Sequence, residues 1–345
     1  MPGRVLVTGA AGLLGGEISG RLADRGAAVT ALVHRSDEVL RNDGRAAPVT
    51  QKVRADITRP GLGLEPAARA RLAAATDLVI HCAAATNFTP ETDRHRAVNV
   101  EGTRHALAFA DEAGARFVHV STAYVCGDRD GLVREDELEA GQRFHNGYEA
   151  TKFRAEELVR QSDVPWTIAR PGIVLGDHAS GRIRSFETIY PVLKVMAEGW
   201  ISTMPAAPGA SLDLVPIDHV CGAIVLLAER FGEASGRAFH LTGRAPTPLS
   251  AFPETLGRFE GLAVPRWVAP EAFEPAALPA RERRFFRRGA EAYAPYFARN
   301  PRFEAKNLGE LAGITCPPTD EAWWYRLVAF AIEAGFITPQ ARRRA

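Results

Sequence analysis

Cysteine is scarce: Cys82, Cys126, Cys221 and Cys316 are the four in 345 residues, and no two stand in CxxC spacing. That rules against a zinc ribbon or a disulfide framework and fits reduced thiols in the cytoplasm. Net charge is nearly missing, since 42 Lys and Arg against 41 Asp and Glu leave +1. No global field therefore recruits nucleic acid or an anionic membrane. Long apolar runs are absent too. A stretch such as 221–228 falls far short of the about 20 residues a bilayer span needs. The opening MPGRVLV runs straight into a strand-like segment, without the apolar stretch or cleavage site of a secretory leader. HExxH, GxSxG and clustered histidines do not occur, so metal-dependent and triad-hydrolase chemistry have no support. His81, His119 and His145 read as local hydrogen-bonding groups and Cys126 as structural. What remains, 46% hydrophobic and 24% charged residues, is ordinary globular composition. The expectation is a soluble cytoplasmic enzyme of two domains, or of one large domain with an appendage.

The first half alternates short apolar runs with helical patterns. Arg4–Thr8, Ala28–Val33, Asp77–His81, Arg116–Ser121 and Trp166–Arg170 read as strands. Gly15–Arg25, Val98–Ala113 and Gly147–Gln161 read as the helices between them. Strands so separated imply βαβ units in a parallel sheet covered on both faces, an α/β doubly wound (Rossmann) fold. The alternation fails beyond about residue 175. Gly and Pro punctuate the chain at Pro205, Pro208 and Gly209, again over Pro246–Pro253 and over Pro265–Pro279. Asp320–Gly335 regains helical periodicity, with a glycine where a C-terminal cap belongs. The expected division is a dinucleotide-binding domain over 1–175 and a smaller substrate-binding region over 176–345, with crossovers back to the core. Arg342, Arg343 and Arg344 read as a frayed, soluble end.

After the first strand, Thr8-Gly9-Ala10-Ala11-Gly12-Leu13-Leu14-Gly15 has G-x-x-G-x-x-G spacing. Gly9 allows a tight turn, Gly12 lets backbone amides approach a pyrophosphate, and Gly15 lets the helix pack on the strand. Position between a strand and a helix near the start of the chain is what strengthens this signal. The second strand ends Val33-His34-Arg35-Ser36, with no carboxylate before Asp37. An acidic residue there would hold the ribose of NAD. Arg35, with His34 and Ser36, instead suits a 2′-phosphate, so NADP(H) is the expected cofactor.

Tyr148 and Lys152 stand four apart, on one helix face. An ammonium beside a phenol favours the phenolate, so the spacing predicts a lowered Tyr148 pKa and a proton donor near neutral pH. The pair follows, by one βα unit, a strand that ends Val120-Ser121-Thr122-Ala123 at the ligand-binding edge of a doubly wound sheet. Neighbouring strand residues alternate faces. Ser121 is accordingly expected toward the sheet interior and Thr122 toward substrate.

With these stretches go ADIT (55–58), HCAAAT (81–86), NVEGT (99–103), VSTAYVCG (120–127), YEATK (148–152) and RPGIVLG (170–176). In that order and spacing the chain resembles an extended short-chain dehydrogenase/reductase over its first 180 residues or so. The resemblance implies a catalytic triad of Thr122, Tyr148 and Lys152. It implies cofactor contacts from Thr8, Gly9, Ala11, Gly12, Leu13, Leu14, His34 and Arg35. Asp56 and Ile57 would meet the adenine, Ala83, Ala84 and Ala85 would line the groove, and Pro171, Gly172 and Ile173 would sit by the nicotinamide. Lys152 would also hold the nicotinamide ribose, and Asn99 would order the active-site helix. No metal is implied.

Within that family, HCAAATNF (81–88), GYEATKFRAEELV (147–159), RPGIVLGDHASGRI (170–183), LDLVPIDHV (212–220) and the pair Trp323-Trp324 resemble one branch. It holds thioester reductase domains, the reductase domain of carboxylic acid reductases, and fatty acyl-CoA reductases. That resemblance implies NADPH-dependent reduction of an acyl thioester, on coenzyme A or an acyl or peptidyl carrier protein, to aldehyde or alcohol. No adenylation or carrier segment is present, so a carrier protein would act in trans. The basic run Arg281-Glu282-Arg283-Arg284-Phe285-Phe286-Arg287-Arg288 would meet an acidic carrier or coenzyme A phosphates, or is a solvated helix face with its phenylalanines inward. The alternatives are a reductase of free ketones or aldehydes resembling dihydroflavonol reductases or hydroxysteroid dehydrogenases, a nucleotide-sugar epimerase or dehydratase, and a non-catalytic NADP sensor. Acyl length and oligomeric state stay open, a homodimer through sheet-flanking helices being an arrangement found among relatives.

Overall fold

The computed structural model describes residues 3–340; Arg342, Arg343 and Arg344 lie outside the described residues. The fold is organised by strands that are apolar on both faces. In β1 (Arg4–Thr8), Val5, Leu6 and Val7 are fully buried, and so are Leu78, Val79 and Ile80 of β4 (Leu78–His81). Such strands need cover on both sides, which right-handed βαβ crossovers supply. With β2 (Ala28–Val33), β3 (Gln51–Arg54), β5 (Arg116–Val120), β6 (Trp166–Pro171) and β7 (Ala238–Leu241) they form a seven-stranded sheet of order β7-β6-β5-β4-β1-β2-β3. Every pairing in it is parallel. The order reverses between β1 and β4, and a crevice opens there outside the carboxyl ends of the strands.

One face of the sheet is covered by α1 (Leu13–Asp24), through Ile18 and Leu22, and by the later helix 217–229. The other face takes α2 (Pro66–Ala74), α3 (Gly102–Glu112) and the end of α4 (Gly147–Arg160), with Leu72, Phe109 and Val159 buried against Leu6, Val79 and Phe117. A third apolar cluster lies apart from the sheet. It joins α5 (Tyr190–Ala197), the helical segment 291–298 and the C-terminal helix 321–333, whose Trp323 and Trp324 are fully enclosed. The Asp320 side chain accepts the Trp323 N–H and caps that last helix.

The chain beyond 175 is less irregular than its punctuation suggests. A strand at Leu214–Pro216 leads into α6 (Ile217–Glu229), and the chain returns as β7 on the sheet edge beside β6. The strand at Leu214–Pro216 itself lies outside that sheet, paired in parallel with Ile173–Leu175, so only β7 extends the sheet. Helix α6 escapes recognition because Ile217, Val220, Ala223, Ile224, Val225, Leu227 and Ala228 are all buried, so no polar face marks the period. The last helix, α7 (Glu321–Glu333), follows the expected span, and Gly335 beyond it takes φ 71°.

Candidate active site

Above the strand ends runs one cleft of about 1020 Å³. Its floor begins at the loop from β1 to α1. Gly9 adopts φ 65°, and a Cβ there would come within 2.7 Å of the Ala83 nitrogen. A Cβ on Gly15 would run into the Gly9 carbonyl oxygen. Only glycine lets this loop, the start of α1 and the loop after β4 close up. The Gly12 N-cap position has no side-chain cap, so the first-turn N–H groups of α1 are left for a ligand. Gly9, Ala11, Gly12, Leu13 and Leu14 all border the cleft.

Thr8 stands behind that floor. Its hydroxyl is 2.8 Å from His81 Nδ1 and accepts the Ala83 N–H at 3.3 Å, tying β1 to the loop after β4. Ala83 and Ala84 line the cleft, whereas Ala85 is buried. The Ala85 N–H donates to Asn99 Oδ1 at 2.7 Å, and Asn99 Nδ2 donates both to the Ala85 carbonyl (3.0 Å) and to Thr151 Oγ1 (2.9 Å). Asn99 thus clamps the loop to α4 without bordering the cleft. It sits in a wide π-type turn over Arg96–Glu101, the kind of local bulge found at functional sites.

At the far end, His34, Arg35, Ser36, Asp56 and Ile57 line the wall. His34 Nε2 is 4.0 Å from Asp56, whose Oδ1 accepts both the N–H and the hydroxyl of Thr58. The Thr58 hydroxyl and N–H help hold the Asp56 carboxyl below its usual range. Arg35 is exposed and has no carboxylate partner among the described residues.

At the opposite end the three residues of the inferred triad gather. Thr122 follows the end of β5 and caps the next turn, with Oγ1 accepting the Tyr124 N–H at 3.2 Å, 3.4 Å from the Pro171 carbonyl and hydrogen-bonded to the Tyr148 phenol. Ser121 also borders the cleft, and its buried Oγ has no partner. Pro171, Gly172 and Ile173 complete this corner. Lys152 is fully buried rather than facing the cleft; its ammonium donates to the Val120 carbonyl at 2.8 Å and lies 3.3 Å from His119 Nε2. Burial lowers the Lys152 pKa to about 8 against the opposing charge of Glu156. His81 and His119 are buried and pushed down, His81 to about 3, so both imidazoles are neutral beside that ammonium.

The structure reverses one expectation here. Tyr148 is raised to about 12, because burial outweighs the hydrogen bond from Thr122 that pulls it the other way. Lys152 is engaged with the backbone of β5 and does not draw the phenol down.

The substrate end carries residues to which the motifs gave no role. Phe88 lies with its ring 5.9 Å from Tyr148, 5.2 Å from Tyr293 and 5.4 Å from Tyr296. Tyr296 borders the cleft, its hydroxyl accepting Asn146 Nδ2 at 2.8 Å and bonding Glu149. Asn146 in turn caps α4 by accepting the Glu149 N–H. The Glu149 carboxylate, fully buried one residue after Tyr148, pairs with the buried Arg299 at 3.2 Å. Tyr293, Tyr296 and Arg299 lie outside every stretch that carries the family resemblance. The aromatic spacing there and the Phe88 that follows HCAAATN were the available signals.

Other candidates separate from the site. Phe286 of the basic run is buried and Phe285 packs on Trp200 at 4.3 Å, leaving Arg283, Arg284, Arg287 and Arg288 around a small surface hollow. That matches the solvated-face alternative. Cys82, Cys126 and Cys316 are raised to about 12 by burial, as inert thiols are. Among the described residues no helix is long and apolar enough to cross a membrane.

Comparison with known proteins agrees with this architecture. Residues 7–224 match the male sterility protein family. A ketoreductase of Stigmatella aurantiaca, named for 4-hydroxy-2-methyl-3-oxo-4-farnesyl-3,4-dihydroquinoline-1-oxide, is 32% identical over 268 residues, 75% of this chain and 74% of its own length. The isonitrile lipopeptide synthase of Streptomyces coeruleorubidus is 30% identical over 256 residues, 66% of this chain but only 17% of that synthase. Among solved structures, the terminal R domain of the myxalamid PKS-NRPS pathway is 27% identical with a TM-score of 0.83, covering 98% of this chain and 92% of that one. The match over most of the cleft-forming half, together with a 32% identical relative of comparable extent, shows that this chain belongs to the male sterility protein family of extended short-chain dehydrogenases/reductases.

Proposed function

We propose that the chain is an NADPH-dependent reductase of acyl thioesters, with Tyr148 as proton donor. The observation that carries this reading is the single continuous cleft. An uncapped helix N-terminus and an unpaired Arg35 stand at one end, and Thr122 and Tyr148 lie under an aromatic wall at the other. Similarity to a PKS-NRPS terminal R domain over nearly the whole chain supports the thioester as substrate class.

The residues fit a nicotinamide dinucleotide. Gly9 and Gly15 let the loop after β1 close against Ala83 and the start of α1, where a Cβ would collide with backbone, and the free N–H groups of α1 supply donors for a pyrophosphate. Arg35, with His34, suits a 2′-phosphate through charge-assisted hydrogen bonds. Asp56 and Ile57 border the adenine end, Ala83 and Ala84 the middle, and Pro171, Gly172 and Ile173 the nicotinamide end. When bound, the cofactor supplies a hydride to a carbonyl carbon. Four unpaired thiols suit a reducing compartment such as the cytoplasm.

Tyr148 holds the proton. A phenol raised to about 12 stays protonated at neutral pH, the form a reductase needs. As charge develops on the carbonyl oxygen, Tyr148 gives up its proton and Thr122 donates a hydrogen bond to the same atom. With a thioester, the resulting hemithioacetal collapses by breaking its C–S bond. The balance is thioester, NADPH and one proton giving aldehyde, thiol and NADP⁺. Lys152 fixes the end of β5 through Val120, and Asn99 fixes the loop opposite. The thioester arrives on the pantetheine arm of coenzyme A or a carrier protein.

A second reading, reduction of a free ketone, is favoured by the Stigmatella ketoreductase, which matches along comparable lengths. The test is NADPH oxidation with acyl-CoA thioesters beside aldehydes and ketones, with thiol release followed in parallel. One thiol per NADPH means aldehyde, and one thiol per two NADPH means alcohol. Turnover of free carbonyls alone replaces the first reading with the second.

A further inference from the structure

One residue at the substrate end combines strain with an unmet hydrogen bond. Thr188 has φ 52°, and Leu62 is the other non-glycine residue with positive φ among those described. A β-branched side chain in the left-handed region is strained, and such residues persist only where their surroundings hold them. Here both sides hold. The Tyr293 hydroxyl donates to the Thr188 carbonyl, Ile189 is fully buried, and the Tyr190 hydroxyl accepts the Gly176 N–H at 3.0 Å.

The conformation sets Thr188 against the cleft, where its Oγ1 is buried with no partner. Buried hydroxyls are almost always satisfied, and an exception on a cleft wall asks for a ligand group. Tyr293, which grips the Thr188 carbonyl, lies 5.2 Å from Phe88, and Phe88 lies 5.9 Å from Tyr148. A chain entering toward Tyr148 along this wall meets the Thr188 side chain among Phe88, Ile183 and Tyr296, with Ser185 and Glu187 lining the cleft just before it in sequence.

Resting on the thioester reading above, we infer that Thr188 Oγ1 anchors the first amide of the pantetheine arm, two methylenes beyond the thioester sulfur. A thioester held at Tyr148 carries that amide at a fixed short distance along the entering chain, and a simple ketone or alkyl thioester offers no such group. Thr188 is thus a substrate-anchoring residue that favours pantetheine-borne acyl groups.

Two thioesters of one acyl group test this, one on N-acetylcysteamine, which has the amide, and one on an alkanethiol of matching length, which lacks it. Wild-type kcat/KM should favour the first by about 5- to 30-fold, the effect of one buried hydrogen bond. In Thr188→Val, which keeps the branching and loses the hydroxyl, the ratio should collapse to about one, with the loss falling on KM. Thr188→Ser should keep the preference, which separates hydroxyl from shape. A Thr188→Val enzyme that retains the wild-type ratio overturns the anchor and leaves the thioester reading intact. Wild-type protein that reduces ketones but neither thioester overturns the reading and the anchor together.

Discussion

Replacing Arg35 with alanine should separate the two nicotinamide dinucleotides. Arg35 is exposed at the end of β2, borders the cleft, and has no carboxylate competing for it among the described residues. Its guanidinium is therefore free to pair with a 2′-phosphate, and its loss removes one charge-assisted pair. Such bonds are worth about 1.5–3 kcal/mol, and solvent around an exposed arginine favours the lower half of that range. At 1.4 kcal/mol per decade, NADPH affinity should fall by roughly 10- to 40-fold. NADH lacks the 2′-phosphate and should bind within about twofold of its former strength. Titrating both cofactors by fluorescence at low and high salt measures this. The NADPH preference should shrink as ionic strength rises, since an exposed pair is screened. Equal weakening of NADPH and NADH, or no weakening of either, would refute the assignment of Arg35 to the phosphate.

Two further substitutions probe the buried charges around the site. Arg299→Met leaves Glu149 as a lone carboxylate in the interior, one residue from Tyr148. Urea unfolding should show a loss of about 3–5 kcal/mol, and a loss below about 1 kcal/mol would mean that the pair does not anchor α4. Asp213 is buried with one oxygen accepting the Gly243 N–H, and burial raises it from 3.8 to about 7. Its folded form keeps a proton that its unfolded form loses, so its contribution is present below pH about 4 and lost as pH rises to about 7. That loss reaches about 4 kcal/mol at most. Asp213→Asn keeps the acceptor and removes the titration, so it should gain stability over wild type at pH 8 but not at pH 4. Parallel wild-type and variant curves across that range would contradict the cause assigned to the shift.

Much of the sheet could be read from the sequence because each of its early elements carries a local signal. The glycines of 9–15 mark a turn, Ile18 and Leu22 mark one helix face, and the runs VLV and LVI mark strands buried on both faces. Signals of that kind depend only on near neighbours. The return through α6 to β7 lacked one, since a helix buried on every side shows no alternation. The substrate wall was hidden for a different reason. Tyr293 and Tyr296 reach Tyr148 across about 150 residues of sequence, through Phe88, and no spacing rule links such positions. The Tyr–Lys spacing shows the limit of pairwise reasoning. It places both side chains on α4 as expected, yet the Val120 carbonyl takes the ammonium and burial decides the phenol. Asn99 and Thr8 illustrate a third case, in which the motif marks the right residue but the side chain works behind the wall.

The account rests most heavily on hydride delivery to a thioester carbonyl with Tyr148 as the acid. Its most direct test is turnover of an acyl-CoA with NADPH deuterated at the transferring position, read by mass spectrometry of the product and by thiol release. The expected product is an aldehyde, or the alcohol derived from it, with deuterium on the former carbonyl carbon and a thiol released for every acyl group reduced. In Tyr148→Phe, labelled product should form at least about 10²-fold more slowly while NADPH still binds. Thiol release without labelled product, or labelled product formed at wild-type rate by Tyr148→Phe, would contradict it.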